Sequence, residues 1–273
     1  MKKSIQKMLL LLTLIIGIQS VSSAQNACEI NPDLVYLGSF FHATVETVIQ
    51  PAHYKGTDWL IAGGILASTA LVYGNDQAIF DFFDRQMGLH QGEQFSKYTD
   101  AFGSGLLSVP LLSGMYLVGL SKDNCQLQEA ALAGFQAFLL SAGAAYIVKS
   151  LSGRARPLTA DDPHLWTGPF SGNDAFPSGH TARAFAVATV VSAYFPDNFW
   201  VGFGAYGLAT LTASGRLLSG VHWPSDVLAG AALGYFIGRG VLYYQKKKRS
   251  KSSSTFQFEP QIGFDSLGLI VRF

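Results

Sequence analysis

Charge is what this chain has least of. Only 14% of its 273 residues are Asp, Glu, Lys or Arg, the formal net charge is +1, and 49% are hydrophobic. A charge fraction this far below the soluble average favours a helical bundle in a membrane. The balance of signs leaves no basic field to draw in nucleic acid, which excludes that class of partner. Cysteine is nearly missing too. Cys28 and Cys125 are too few for a disulfide framework and lack the spacing of a zinc site, although one bridge can form if both face an oxidising compartment. Candidate metal carboxylates are absent from the apolar body apart from Asp226, and Asp161, Asp162 and Asp174 lie in a Pro- and Gly-rich loop without ligand spacing. No metal or other cofactor is called for, and nothing marks an obligate protein partner.

What is present begins with an export signal over residues 1–24: Lys2, Lys3 and Lys7, an apolar run from Met8 to Ile18, and the small residues Ser22, Ser23 and Ala24. A mixed polar segment follows over 25–56, where His42 and His53 stand isolated and read as surface or packing residues. Apolar stretches then recur at about 59–73, 104–120, 129–148, 182–195, 199–213 and 227–244 without strand-like alternation, which predicts six helices. Gly63, Gly64, Gly114, Gly119, Gly143, Gly230 and Gly234 suit close helix packing in lipid. Several stretches fall short of the ~20 residues of a full span, which leaves open a water-soluble helical domain with a very apolar core.

Topology signals conflict. A cleaved signal followed by six spans leaves the C-terminus outside, yet Lys246, Lys247, Lys248, Arg249 and Lys251 after the last stretch belong in the cytoplasm by the positive-inside rule. Either one stretch does not span, or the signal is not cleaved, or the domain is exported whole. The tail over 246–273 passes from this basic linker to the period-two pattern Leu267, Leu269, Val271, Phe273, which predicts a terminal strand or hairpin.

Charged residues in an apolar body carry information, and they fall in three clusters. Lys149, Arg154 and Arg156 stand where the third apolar stretch gives out; a lysine and an arginine fork suit one oxyanion. Pro177-Ser178-Gly179-His180 leads into a helix whose first N–H groups make an anion site with a titratable neighbour. In the third, Pro224 suits the first helical position. His222 then precedes the helix, and Asp226 in its first turn can reach back to one imidazole nitrogen, with Arg216 one loop away. Together they supply a nucleophile, an acid and preorganised positive charge, the requirements of phosphoryl transfer.

In order and spacing these clusters (Lys149, six residues, Arg156-Pro157; Pro177 to His180; Arg216, five residues, His222, three residues, Asp226) resemble the type 2 phosphatidic acid phosphatase superfamily, which also holds class A acid phosphatases and vanadium haloperoxidases. The motifs cover 149–226 and the helix pattern roughly 57–245. The resemblance implies an all-α, six-helix, multi-pass membrane domain with His222 as nucleophile, Asp226 orienting it and His180 as general acid. Lys149, Arg156, Ser178, Gly179 and Arg216 would form the phosphate cradle. It implies a metal-independent phosphatase at the bacterial envelope acting on a lipid phosphate: phosphatidic acid, phosphatidylglycerophosphate, an isoprenyl pyrophosphate or a lipid A phosphate. The active site would face the periplasm. A soluble periplasmic acid phosphatase or a haloperoxidase is the alternative. One departure stands out: Gly215 occupies the place before the arginine where the family usually has serine. Trp166, Phe170 and Trp223 are candidates to line an entry for the substrate.

Overall fold

The structure, a computed structural model, describes Cys28, Pro32, residues 34–252 and two tail segments, 257–262 and 267–272. The expected export signal at 1–24 lies outside the described residues. Nine α-helices stand among the described residues where the apolar stretches predict six. They are α1 Leu34–Ile49, α2 Gly56–Tyr73, α3 Asp76–Met87, α4 Leu89–Ser104, α5 Ser108–Ser121, α6 Cys125–Ser152, α7 Gly179–Tyr194, α8 Phe199–Leu218 and α9 Pro224–Ser252. The three extra helices, α1, α3 and α4, escape a search for apolar runs because polar residues interrupt them. In the tail, β1 Gln257–Ile262 pairs antiparallel with β2 Leu267–Arg272.

Two helices, α6 and α9, are long and apolar enough to cross a membrane, and α4 with α5, bent by 43° at their junction, make a third candidate when taken together. Asn124 caps α6 by accepting from the Leu127 N–H at 3.0 Å, and Gly153 ends it in the left-handed region at φ 62°. A Cβ at Gly153 would meet the Gly168 carbonyl at 2.0 Å, so only glycine lets the following loop fold back here.

The centre of the bundle is α7. Ala182, Ala184, Ala186, Val187, Ala188 and Val190 are buried, enclosed by α6, α8 and α9. Such small side chains let backbones approach: Cβ atoms at Gly230 and Gly234 of α9 would lie 2.5 and 2.1 Å from the Ser178 and Ala182 carbonyls. The other predicted packing glycines divide. Gly119 presses on Gln128, whereas Gly63, Gly64, Gly114 and Gly143 meet nothing within 4 Å, because they fall on the outward faces of their helices. Leu60, Leu66 and Leu71 of α2 and Tyr146 and Ile147 of α6 are exposed, as side chains that face lipid would be.

α6 and α9 run antiparallel. At one end Lys149 feels the Asp226 charge; at the other Arg249 pairs with Glu129. Cys28 is bridged to Cys125 at this second end. Tyr36 of α1 donates to the Leu132 carbonyl at 2.8 Å, which ties the segment before α2 to the same region.

Candidate active site

Three elements bring the clusters together at the opposite end: the last turn of α6, the start of α7, and the α8–α9 junction. Lys149 lies in the last turn of α6. α7 begins at Gly179, so the N–H groups of its first turn have no carbonyl within the helix to bond. Pro224 opens α9, where its missing N–H costs nothing, and places Asp226 in the first turn. The Ser178 N–H donates to the Asp226 carbonyl at 2.9 Å, which locks the second cluster to the third. A Cβ on Gly179 would stand 3.6 Å from Lys149 Cε, which puts the first cluster against the second.

His222 is 2% exposed. Its Nδ1 faces Asp226 Oδ2 at 3.7 Å, outside hydrogen-bonding range, and is left buried without a partner. The carboxylate is held instead by the Trp223 N–H at 2.9 Å on Oδ2 and by Arg154 on Oδ1. The orientation leaves His222 Nε2 as the nitrogen available to a substrate. Burial pushes the His222 imidazole down to about 4 against the opposing pull of the Asp226 carboxylate. Burial likewise pushes His180 down to about 3, helped by the Arg216 and Arg183 charges. Both rings are neutral at pH 7.

The cations are already engaged. Arg156 holds the Asp174 carboxylate through two hydrogen bonds, Nε to Oδ1 at 2.8 Å and Nη2 to Oδ2 at 3.0 Å, and Lys149 donates to the Asp174 carbonyl. Burial alone would raise the Asp174 carboxyl, but the Arg156 hydrogen bond and the Lys149 and Arg156 charges hold it below its usual range. Arg216 pairs with Asp100 of α4. Ser178 is fully buried, and its Oγ accepts from Thr181 at 2.9 Å.

Arg154, outside the predicted site, proves to be a fully buried junction. It donates to Asp76, Asp226, Ser225 and the Pro163 carbonyl, and lies over the rings of Tyr73, Trp166 and Trp223. Asp76 also accepts from the Ser225 N–H and hydroxyl at 2.8 and 2.5 Å. Sequence reasoning missed Asp76, Asp100, Asp174 and Arg183. The available signal was the scarcity of charge itself: an acid at the start of α3 or in α4 needs a cation, and the three clusters hold the cations.

Two further differences concern positions already named. Trp223 cannot line an entry, because it is 1% exposed and donates through Nε1 to the Ala155 carbonyl at 2.9 Å; Phe170 is 82% exposed and Trp166 39%. Gly215, which departs from the family pattern, sits at a close approach of two helices. A Cβ there would stand 2.1 Å from Thr99 Oγ1, since α4 packs directly on α8 at that point. Among the described residues no group of three or more His, Cys, Asp or Glu is arranged to hold a metal ion.

Comparison with known proteins agrees with the motifs. Residues 131–250 match the PAP2 superfamily. The chain is 42% identical over 66 residues to a lipid A 1-phosphatase of Porphyromonas gingivalis, covering 24% of this chain and 15% of that protein. It is 31% identical over 156 residues to a lipid A 1-phosphatase of Rhizobium johnstonii, covering 53% and 63%. The matched region thus spans less than two thirds of each of these relatives. Among solved structures, LpxE of Aquifex aeolicus is 25% identical with a TM-score of 0.45, over 61% of this chain and 94% of that one.

Proposed function

We propose that the chain is a PAP2-type, metal-independent phosphatase of a lipid phosphate at the bacterial envelope, a reading supported by the match of residues 131–250 to the PAP2 superfamily. The observation that carries the reading is the convergence of Lys149, Arg156, His180, Arg216 and the His222–Asp226 pair at one end of a bundle with many exposed large apolar side chains. A lipid A phosphate is the favoured substrate, since both curated relatives are described as lipid A 1-phosphatases.

In this mechanism the cradle of Lys149, Arg156, Arg216 and the α7 N-terminus holds the equatorial oxygens of the phosphoryl group, with Ser178 and Gly179 shaping the turn. His222 Nε2 attacks phosphorus and a P–N bond forms. The P–O bond to the lipid breaks, and His180 delivers its proton to the departing oxygen. Water then attacks the phosphohistidine, His180 takes back a proton, and inorganic phosphate leaves. Asp226 stabilises the positive charge that develops on His222. The site faces the periplasm, the side to which the export signal directs the mature chain.

Phosphate release from lipid A, phosphatidic acid, phosphatidylglycerophosphate and an isoprenyl diphosphate, measured in detergent with a chelator present, tests the reading. Wild type should release phosphate from at least one lipid, with His222→Ala inactive. Release from none, or equal release by His222→Ala, overturns it.

A further inference from the structure

Asp76 lies upstream of all three clusters, in the first turn of α3, and is buried with them. Its Oδ2 accepts from Arg154 Nη2 at 2.6 Å and from the Ser225 hydroxyl at 2.5 Å, and its Oδ1 accepts from the Ser225 N–H at 2.8 Å. That N–H belongs to the first turn of α9, where no carbonyl within the helix meets it, so Asp76 caps α9 from another element. Arg154 gives five hydrogen bonds. Its Nε and Nη2 reach the Pro163 carbonyl at 3.0 and 2.7 Å, Nη2 also reaches Asp76, and Nη1 reaches the Ser225 hydroxyl at 2.8 Å and Asp226 Oδ1 at 2.5 Å. A guanidinium has no further N–H to offer. Asp226 completes the line: its Oδ2 takes the Trp223 N–H at 2.9 Å and faces His222 Nδ1 at 3.7 Å. A buried run of alternating charge thus leads from α3 to the imidazole: Asp76, Arg154, Asp226, His222.

The charges along this run decide what Asp226 can do. A carboxylate behind a nucleophilic histidine fixes the tautomer of the ring and stabilises the imidazolium that forms on attack. A guanidinium bonded to the same carboxylate works against it, because its positive charge offsets the negative charge the ring would use. Lys149 and Arg156 also act on His222 and add to that opposition, although Asp174 meets both. Asp76 reverses the balance. Two carboxylates share one guanidinium, which leaves a negative charge uncompensated beside the ring. The geometry has the same sense: with every donor of Arg154 taken, the guanidinium is fixed, and it fixes Asp226 Oδ1 in turn. Oδ2 is then the carboxylate oxygen left to Nδ1.

We propose that Asp76 is a positioning residue for the nucleophile: acting through Arg154, it fixes the Asp226 carboxylate and preserves its charge for His222. The proposal rests on the phosphatase reading above and adds to it a fourth element, from outside the three motifs. In the step it assists, His222 Nε2 forms the bond to phosphorus as the bond to the departing oxygen breaks, and that oxygen takes the proton of His180. Positive charge grows on the His222 ring, Nδ1 keeps its proton, and Asp226 Oδ2 accepts the hydrogen bond. Asp76 and Arg154 transfer no proton.

The test compares wild type with two variants on phosphatidic acid and on lipid A, in detergent with chelator. Asp76→Asn keeps polar atoms for Ser225 and removes the charge; Asp76→Glu keeps the charge on a longer side chain. Asp76→Asn should lower kcat roughly tenfold with KM within about twofold, and Asp76→Glu should recover part of that loss. A loss carried by KM, or one equally deep in Asp76→Glu, overturns the proposal. A second measurement needs no turnover. In wild type labelled with 15N at histidine and held at pH 7, the His222 signals, assigned by their loss in His222→Gln, should report a proton on Nδ1 and none on Nε2. Asp76→Asn should convert this to a mixture of tautomers. A wild-type ring protonated on Nε2, which needs no folded variant to observe, overturns the proposal, and so does the same tautomer in both proteins. If wild type cleaves neither lipid yet its His222 tautomer responds to Asp76→Asn, the phosphatase reading fails while the coupling stands.

Discussion

Cys125 and Lys149 stand at opposite ends of one helix, α6, whose 28 residues separate the disulfide from the active site by roughly 40 Å of helix. The basic run from Lys246 to Lys251 ends α9 on the disulfide side, where Arg249 pairs with Glu129. The positive-inside rule draws that end to the cytoplasm, whereas the bridge requires an oxidising compartment. The bridge is present, so that end of the bundle is expected to face the oxidising compartment.

In intact cells, then, Cys28 and Cys125 should resist alkylation until a reductant is added. A cysteine placed at exposed Asp161 should react with a membrane-impermeant maleimide. Free thiols at 28 and 125 would instead put the basic end in the cytoplasm, with the body spanning the inner membrane. The bridge closes a loop across a separation of 97 residues, so its reduction in purified protein should lower stability by about 5 kcal/mol on the chain-entropy view, read as a fall in Tm.

Asp174 occupies the arginine fork that a phosphate would use. An incoming phosphoryl group must take over the two hydrogen bonds that Arg156 now gives to the carboxylate. Asp174→Asn should therefore strengthen competitive inhibition by inorganic phosphate, with Ki falling about tenfold, the worth of one charge-assisted contact. An unchanged or raised Ki would show that Asp174 holds Arg156 in place for the substrate.

The two imidazoles set the pH dependence. On the proposed mechanism His222 must be neutral to attack and is so above about 4; His180 must be protonated to act as acid, yet in the free protein burial keeps it neutral above about 3. A bound phosphate dianion favours the charged ring. The alkaline limb of kcat should therefore lie at higher pH than that of kcat/KM, which reports the free enzyme. Stability moves the other way. Both folded-state values lie below the ordinary 6.5, so the unfolded chain takes up protons first as pH falls. Stability is fully present above about 6.5 and is lost progressively toward 3. Tm should decline over that window, and less steeply in His180→Gln.

Asp76 and Arg154 are fully buried and bonded to each other. Removing one partner strands the other, so Asp76→Ala should cost about 3–5 kcal/mol, a large fraction of the stability of a domain. Because Arg154 also holds Asp226, the milder Asp76→Asn should lower kcat more than it raises KM. Thermal melting and steady-state kinetics on the same preparations separate the two effects.

Spacing along the chain was enough to mark residues that the bundle brings together. Lys149, Arg156, His180, Arg216, His222 and Asp226 are legible because they fall at motif intervals in a body otherwise poor in charge, where an ionised group needs a reason. Asp76, Asp100 and Asp174 were not legible, because each is paired with a cation that lies 18 or more residues away in sequence. The helices α1, α3 and α4 were missed for a related reason: their apolar residues are interspersed with polar ones, so no continuous run marks them.

The sequence by itself determined the helical class, the three clusters and the kind of reaction they suit, since hydrophobic periodicity and residue chemistry are local properties. Only the tertiary structure decided that Asp226 is held by Arg154 and the Trp223 N–H, with His222 Nδ1 at 3.7 Å, that Gly215 packs closely against Thr99, and that Arg183 keeps a buried Nε without a hydrogen-bond partner. Each depends on which helix packs against which and at what separation. That is fixed by burial over the whole bundle and is written in no single stretch of the chain.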